Sequence, residues 1–263
     1  MFFYPTEPTI PLTGKTLVVP IVSTANVSQL AADLLIATLS LVPIGRFDSS
    51  YLVPALGARE NGPGVSTPLE LYGKAGLDVV IIQQRSPALK SQKQNFVDAL
   101  LDFINNSGVA AALFLSGVDQ SNRTDSQMLT PTYHLLPISN TSTLSSTPLA
   151  RLLQLPIPPY TSPVSQYPNN AEPQSPSAIE IPFIPGGSLT RRFFQTISQS
   201  PSESKVAIAG VLQFVLEGDN RADAAILASV VVAILGLQVA GFKEPSSWKQ
   251  GLFGNPPDNS LYD

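Results

Sequence analysis

Up to Gly117, short unbroken apolar runs alternate with longer stretches whose apolar residues recur at helical spacing. KTLVVPIVS (Lys15–Ser23) is followed by a polar TAN turn. In Val27–Ser40, Leu30, Leu34 and Ala37 or Thr38 then share one stripe. A short apolar run without alternation suits a strand buried on both faces, and a three-four spacing suits a helix lying over such strands. Further strand runs fall at about Ile44–Val53, at Leu69–Lys74, at Leu77–Gln84 and at Val109–Gly117. Lys90–Asn106 is amphipathic, with Phe96, Val97, Leu100, Leu101 and Ile104 on one face and a Ser107-Gly108 stop. The alternation predicts an α/β fold, a mainly parallel sheet flanked by helices.

Composition then shifts. Twelve of the 25 prolines lie between Thr130 and Gly186, and Arg151 and Glu172 are the charges within Ser126–Ala178. A segment so poor in core-forming residues predicts a long Pro/Ser/Thr-rich insertion at about 126–178, partly disordered. After it, Ile179–Phe183 (IEIPF) reads as a strand, PGG as a turn into a helix from about Ser188, and Ser202–Glu217 and Arg221–Ala240 as helices. The expected organisation is one α/β domain over 1–253 and a flexible tail over 254–263. Trp248, Leu252 and Phe253 are expected to dock on the body, because three such groups would be costly in water.

Charged residues make up 13% of the chain and the net charge is -4, against about 25% in ordinary domains. A nucleic-acid binder needs a basic surface to displace counterions, so that class is excluded. Without cysteine there is no disulfide, thiolate metal site or cysteine nucleophile. The N-terminus MFFYPTEPTIPLTGK has no basic, apolar leader pattern. Both features fit the cytosol or the nucleus, and the sequons at Asn26, Asn105, Asn122 and Asn140 are then accidental. Against this stands Ala224–Phe242, with no charge and a length that meets the threshold for a membrane span. Ser229, Gln238 and several Ala and Gly dilute it, and no basic cluster flanks it, so a buried helix is the better reading.

Candidate chemistry is sparse. His134, the only histidine, lies in the insertion with no neighbour in sequence to orient it, and reads as a loop residue rather than a general base. G-x-S-x-G, Walker and H-E-x-x-H motifs are missing, and one histidine without cysteine makes a zinc site improbable. Two glycine turns compete with anion or substrate sites. IPGGSLT (Ile184–Thr190) is either a tight turn with Ser188 as N-cap or, through Gly186-Gly187, an anion cradle. LEGDNRADA (Leu216–Ala224) is either a helix stop and restart capped by Asp219 or Asn220, or carboxylates aimed at a substrate. An enzyme of nucleoside phosphorylase or hydrolase type, using Gly186-Gly187 and Asp219, is therefore the alternative reading.

The chain ends PPDNSLYD. Leu261 and Tyr262 beside the α-carboxylate of Asp263 suit a socket: each side chain would contribute roughly 1.5–3 kcal/mol on burial. The carboxylate would take a lysine or backbone amides.

Read in order, GKTLVVPIVSTANVSQLAADLLIATL, LVPALG (Leu52–Gly57), LFLSG, IPGGSLT, FVLEGDNRADA and PSSWKQGLFG resemble the proteasome assembly chaperone 2 family. The likeness runs through most of the chain and lapses in the proline-rich insertion. It implies a non-catalytic chaperone without cofactors, on a nucleoside-phosphorylase-like core that lacks the enzyme's site. It implies a heterodimer with proteasome assembly chaperone 1 that binds the α-subunit ring of the 20S core particle during assembly. In that family setting a hydrophobic–Tyr–X ending enters a pocket between α subunits, and Leu261, Tyr262 and Asp263 match it position by position. Neither nucleic acid nor membrane is implied as a partner.

Overall fold

The structure, a computed structural model, describes residues 1–59, 62–137, 144–163, 181–199 and 206–250. Its strands are β1 (Phe3–Pro5), β2 (Thr16–Pro20), β3 (Val42–Phe47), the short hairpin β4 (Gly57–Ala58) and β5 (Val65–Ser66), β6 (Leu69–Gly73), β7 (Val79–Gln84), β8 (Ala111–Asp119), β9 (Thr132–Leu135) and β10 (Ala207–Val215). The helices are α1 (Val27–Leu39), α2 (Lys93–Asn106), α3 (Ser188–Gln199) and α4 (Arg221–Leu235).

Eight strands form one mixed sheet in the order β1-β3-β6-β7-β2-β8-β10-β9. Its core, β7-β2-β8-β10, is parallel, and the pairs at both flanks are antiparallel. This is the expected fold class, a helix-flanked sheet with parallel strands at its heart. The four central strands are buried along nearly their whole length. Strands with no solvent face must be covered on both sides, which the crossover helices do. On one face α3 brings Phe193 and Phe194 onto Phe114, with ring centroids 5.2 and 5.8 Å apart, and Phe96 of α2 stacks on Phe193 at 6.1 Å. On the other, α1 and α4 bury Leu34, Leu35, Leu227 and Val231 against Val18 and Leu113, and Trp248 joins this cluster at 4% exposure. Trp248 thus docks as expected; Leu252 and Phe253 lie outside the described residues.

Three expectations need correction. Most of the stretch expected as a helix at Ser202–Glu217 is β10, a central strand paired with β8 and β9. Its run AIAGVLQFV is apolar throughout, and a continuous apolar run carries no period that separates a buried helix from a buried strand. No strand forms at Ile181–Phe183: Pro182 and Pro185 lack the amide a ladder needs, although Ile181 and Ile184 are buried. Within the proline-rich insertion, 126–137 and 144–163 pack on the body, and 138–143 and 164–178 are outside the described residues. Tyr133, Leu135, Leu144, Leu149, Leu152 and Tyr160 are buried there. Such a segment cannot build a core alone, but β9 borrows one by pairing with β10.

Helix α4 stops earlier than its apolar run. Gly236 takes a left-handed φ of 64°, and the amides of Gly236 and Leu237 return to the carbonyls of Ala233 and Val232. Among the described residues no helix is long and apolar enough to cross a membrane.

A buried polar cluster ties the hairpin β4–β5 region to the sheet. Glu70 on β6 is 1% exposed and accepts from Arg59 (2.8 Å), from Thr67 and from the Tyr72 hydroxyl (2.8 Å). Burial first, and the Glu70 charge second, push the Tyr72 hydroxyl up from 10.0 to about 12. The unfolded chain releases this proton near pH 10 while the folded one holds it, so the contribution is intact below pH 10 and is lost as pH rises toward 12. Urea titrations between pH 9 and 12 should show stability falling with pH, and Tyr72→Phe should make that fall shallower. An unchanged slope in the variant would contradict the assignment.

Candidate functional site

In a parallel α/β sheet the natural place for a ligand is the crevice beyond the carboxyl ends of the strands. Here that crest is built from the segment after β2, the ends of β8 and β10, and the turn before α3. The Ile184–Gly187 turn closes with the Gly187 amide on the Ile184 carbonyl (2.9 Å). Gly186 sits at φ 73°, and a Cβ there would lie 1.9 Å from Thr24 Oγ1. Gly117, near the end of β8, meets the same segment: its Cβ would come 2.4 Å from the Thr24 carbonyl oxygen. Both glycines are required by close approach of the chain to itself. The Gly186-Gly187 cradle is accordingly a tight packing turn, and Ser188 begins α3.

Several donors of the crest are engaged internally. Gly117 N–H donates to Ser23 Oγ (2.7 Å), and Asp119 N–H to the Pro185 carbonyl (3.0 Å). Ser28 Oγ donates to the Ile21 carbonyl (2.7 Å), and Thr190 Oγ1 to Ser116 Oγ (2.8 Å). Ala25 and Asn26 adopt left-handed φ values of 58° and 50°. The Ala25 amide donates to the Glu217 carboxylate at 2.9 Å.

Asp219 also turns inward on its own turn. It accepts from Arg221 Nε (2.9 Å) and Nη2 (2.5 Å), and these hydrogen bonds hold its carboxyl below the usual range. Asn220 is the residue before α4, its side-chain amide on the Gly218 carbonyl (2.8 Å). LEGDNRADA is thus not the helix stop and restart expected: a strand, β10, ends before it, and neither Asn220 nor Asp219 makes a side-chain cap bond at the start of α4, although Asp219 Oδ1 accepts from the Arg221 amide (3.3 Å). Asp119 likewise bonds the amide and hydroxyl of Ser121, which lower its pKa.

His134 differs from the expectation of an unoriented loop residue. It lies in β9, where its Nδ1 is 2.7 Å from the Ile157 carbonyl. A carbonyl only accepts, so Nδ1 carries the hydrogen. The His134 amide donates to Pro158, and its carbonyl accepts from Tyr160 (2.9 and 2.8 Å). The residue fastens the 157–160 segment over the sheet edge. Its partners are backbone groups 23 to 26 positions away, which no local pattern reveals. No group of three or more His, Asp or Glu able to hold a metal ion occurs among the described residues. Leu261, Tyr262 and Asp263 lie outside them. Their root does not: Trp248 is buried, its amide bonds the Pro245 carbonyl, and the Lys243 amide donates to Thr38 Oγ1 (2.9 Å) at the end of α1.

Fold and crest together define a mixed α/β scaffold with closely packed glycine turns at the carboxyl ends of its central strands. The chain belongs to the PAC2 family, whose model matches residues 17–231. It is 32% identical over 256 residues to the proteasome assembly chaperone 2 of Xenopus tropicalis, covering 91% of this chain and 92% of that one. To the same protein of Mus musculus it is 30% identical over 276 residues, with 97% and 98% covered. Among solved structures it resembles Pyrococcus furiosus PbaA, an archaeal homolog of proteasome-assembly chaperone (TM-score 0.57, 17% identity, 90% and 88% covered). It also resembles PbaB of that organism, an archaeal proteasome activator (TM-score 0.56, 15% identity, 90% and 91% covered). At these identities the structural likeness establishes the shared fold.

The packing at the crest has a direct test. Gly117→Ala should lower stability by about 1–3 kcal/mol, because the added methyl meets backbone rather than a movable side-chain tip. A urea midpoint equal to that of the unaltered chain would show that the crest is looser than described.

Proposed function

We propose that this protein is a proteasome assembly chaperone that works with a related subunit, proteasome assembly chaperone 1, on the α-subunit ring of the 20S core particle. The observation that carries the reading is the near full-length match to proteins named proteasome assembly chaperone 2. Work of this kind belongs in the cytosol or nucleus, where core particles are built.

In this proposal the terminal Leu261-Tyr262-Asp263 enters a pocket between two α subunits. Leu261 and Tyr262 supply apolar contact, and the α-carboxylate of Asp263 meets a lysine. Thirteen residues follow Gln250, the last described position. Fully extended they reach up to about 43–47 Å. Docking of Trp248 and the bond from Lys243 to Thr38 set where that leash begins. Ordering a free tail offsets part of the gain, so the tail acts with body contacts rather than alone.

Deletion of Leu261–Asp263 should weaken α-ring binding by about ten- to a hundredfold, the equivalent of losing one buried side chain or more. The heterodimer should stay intact. Co-purification of the full-length and truncated chains with the partner subunit and α subunits reads both outcomes, and an unchanged yield of α subunits would rule out the tail's role.

A further inference from the structure

The two ends of the sheet meet solvent with different residues. Among the described residues twelve large apolar side chains are exposed, and Val53, Leu56, Val65, Met128, Leu129 and Leu216 gather around the carboxyl ends of the parallel strands. The topology places each one there. Val53 donates its amide to the Pro87 carbonyl (2.9 Å) and accepts from Ser86 Oγ (2.7 Å), just past the end of β7. Leu56 and Val65 belong to the β4–β5 hairpin, which leads into β6, and Leu69 of β6 pairs with Gln84 at the end of β7. Met128 and Leu129 close the turn Asp125–Leu129, two residues before Pro131, whose carbonyl takes the Phe214 amide (2.8 Å). Leu216 directly follows β10. At the opposite end the turns at 74–78 and 106–109 present Lys74, Asp78 and Asn106 instead. Exposed apolar residues scattered singly are ordinary, but a group on one end of a molecule marks a contact surface.

A fixed backbone holds these side chains out. Leu129 is 91% exposed and Leu56 76%. Beneath Leu129, Thr124 and Gln127 form a capping box, and buried Gln127 donates to the Thr161 carbonyl (2.9 Å). Arg123 donates to the carbonyls of Gln127 (2.7 Å) and Thr130 (2.5 Å). The hairpin is fastened at its root by Arg59, which reaches buried Glu70 (2.8 Å). None of these bonds uses the side chain of Leu56, Met128 or Leu129, so the turns do not need apolar residues there. A partner meets them already in position, which removes much of the ordering cost of docking.

We propose that the carboxyl end of the sheet is a docking face for a folded protein whose surface has apolar depressions bordered by basic groups. This rests on the chaperone reading above, under which that protein is an α subunit, and adds the part of the body that meets it. Size and charge select the occupant. The apolar group runs from β6 to β9, about 24 Å across six strands. Eight strands make the whole end about 34 Å wide, and a helix layer of about 10 Å on each face gives it about 700 Å². That is near the roughly 800 Å² per partner of a stable complex. Acids stand beside the apolar residues: Asp125 opens the turn of Met128 and Leu129, Glu217 follows Leu216, and Asp119 ends β8. They repel an anionic lipid or a nucleic acid and favour basic groups opposite them. Lys90 and Lys93, by the start of α2, carry the other sign, and charges of both signs around an apolar centre are the pattern of a protein interface.

Leu129→Lys and Leu56→Lys, made singly in the full chain, test the proposal through capture of α subunits by its heterodimer with proteasome assembly chaperone 1. Each should reduce the α subunits retained by at least about tenfold, as loss of an interface anchor does. The melting temperature of the chain should stay within about 3 °C, because both side chains point into water. Val42→Lys, at the far end of the sheet where Val42 pairs with Gly73, should leave α subunits bound. An equal loss in Val42→Lys would mean that added charge, not place, is responsible, and would overturn the assignment. If both crest variants retain α subunits as the unaltered chain does, the face is wrong and the chaperone reading stands. If the unaltered heterodimer captures no α subunits, the chaperone reading falls and this inference falls with it. A heterodimer that comes apart in the crest variants would give the face to the partner subunit, and a dimer of the chain alone that Leu129→Lys splits in sedimentation would give it to a second copy. Either result overturns the choice of occupant.

Discussion

Four parallel strands with no solvent face govern this molecule. Every backbone amide and carbonyl of β2, β7, β8 and β10 has to be paired within the protein, because water cannot reach them. Both faces have to be covered as well, since each carries a near-continuous sheet of Val, Ile, Leu and Phe. These two requirements account for the rest of the architecture. They demand a helix layer on each side, and they demand partners for the outer strands. One flank is finished by β6, β3 and β1, with Pro5 at the last edge. The other is finished by β9, whose outer edge is fastened to Pro158 and Tyr160 through His134. Prolines near both edges leave few donors for an intruding strand.

The carboxyl ends of those strands are where such sheets usually meet their ligands, and here the segment after β2 packs tightly against them. Thr24 lies so near Gly117 and Gly186 that neither position admits a side chain without displacement. Glu217 then occupies the amide of Ala25. A carboxylate in that position does the work of a bound anion, and it stabilises a turn in which two successive non-glycine residues hold left-handed dihedrals.

Much of this was legible in the residue order, and the failures have physical causes. The strands β2, β7 and β8 and the helices α1 and α2 announce themselves because run length and periodicity agree with burial. β10 does not: AIAGVLQFV is equally apolar as helix or strand, and only its neighbours β8 and β9 decide the matter. β1 is too short, and too close to the prolines at 5, 8 and 11, to register as a strand. The insertion misled by composition. Scarcity of charge suggests a segment that does not pack by itself, and Tyr133, Leu135 and Tyr160 are buried against a host sheet. At the crest, Gly186-Gly187 and Asp219 were visible as turns with two readings each. Choosing between them required knowing that Thr24, Glu217 and Arg221 stand beside them, and contacts such as Ala25 to Glu217, 192 positions apart, leave no local trace.

The uncharged run from Ala224 onward suits either a bilayer or a buried helix, and the fold decides between them. Its length suggests a bilayer, but Gly236 ends the helix after 15 residues, about 22 Å, short of the roughly 30 Å that a hydrocarbon core requires. The inward half, Ala224, Leu227, Ala228, Val231 and Ile234, is fully accounted for by the sheet. Nothing in that packing asks the outward half to be apolar too, because solvent tolerates Lys, Glu or Gln at an exposed helical position and these are better helix formers than Ser or Ile. The molecule itself supplies the contrast: α2 does identical work on the opposite face with Gln94, Asp98 and Asp102 turned outward.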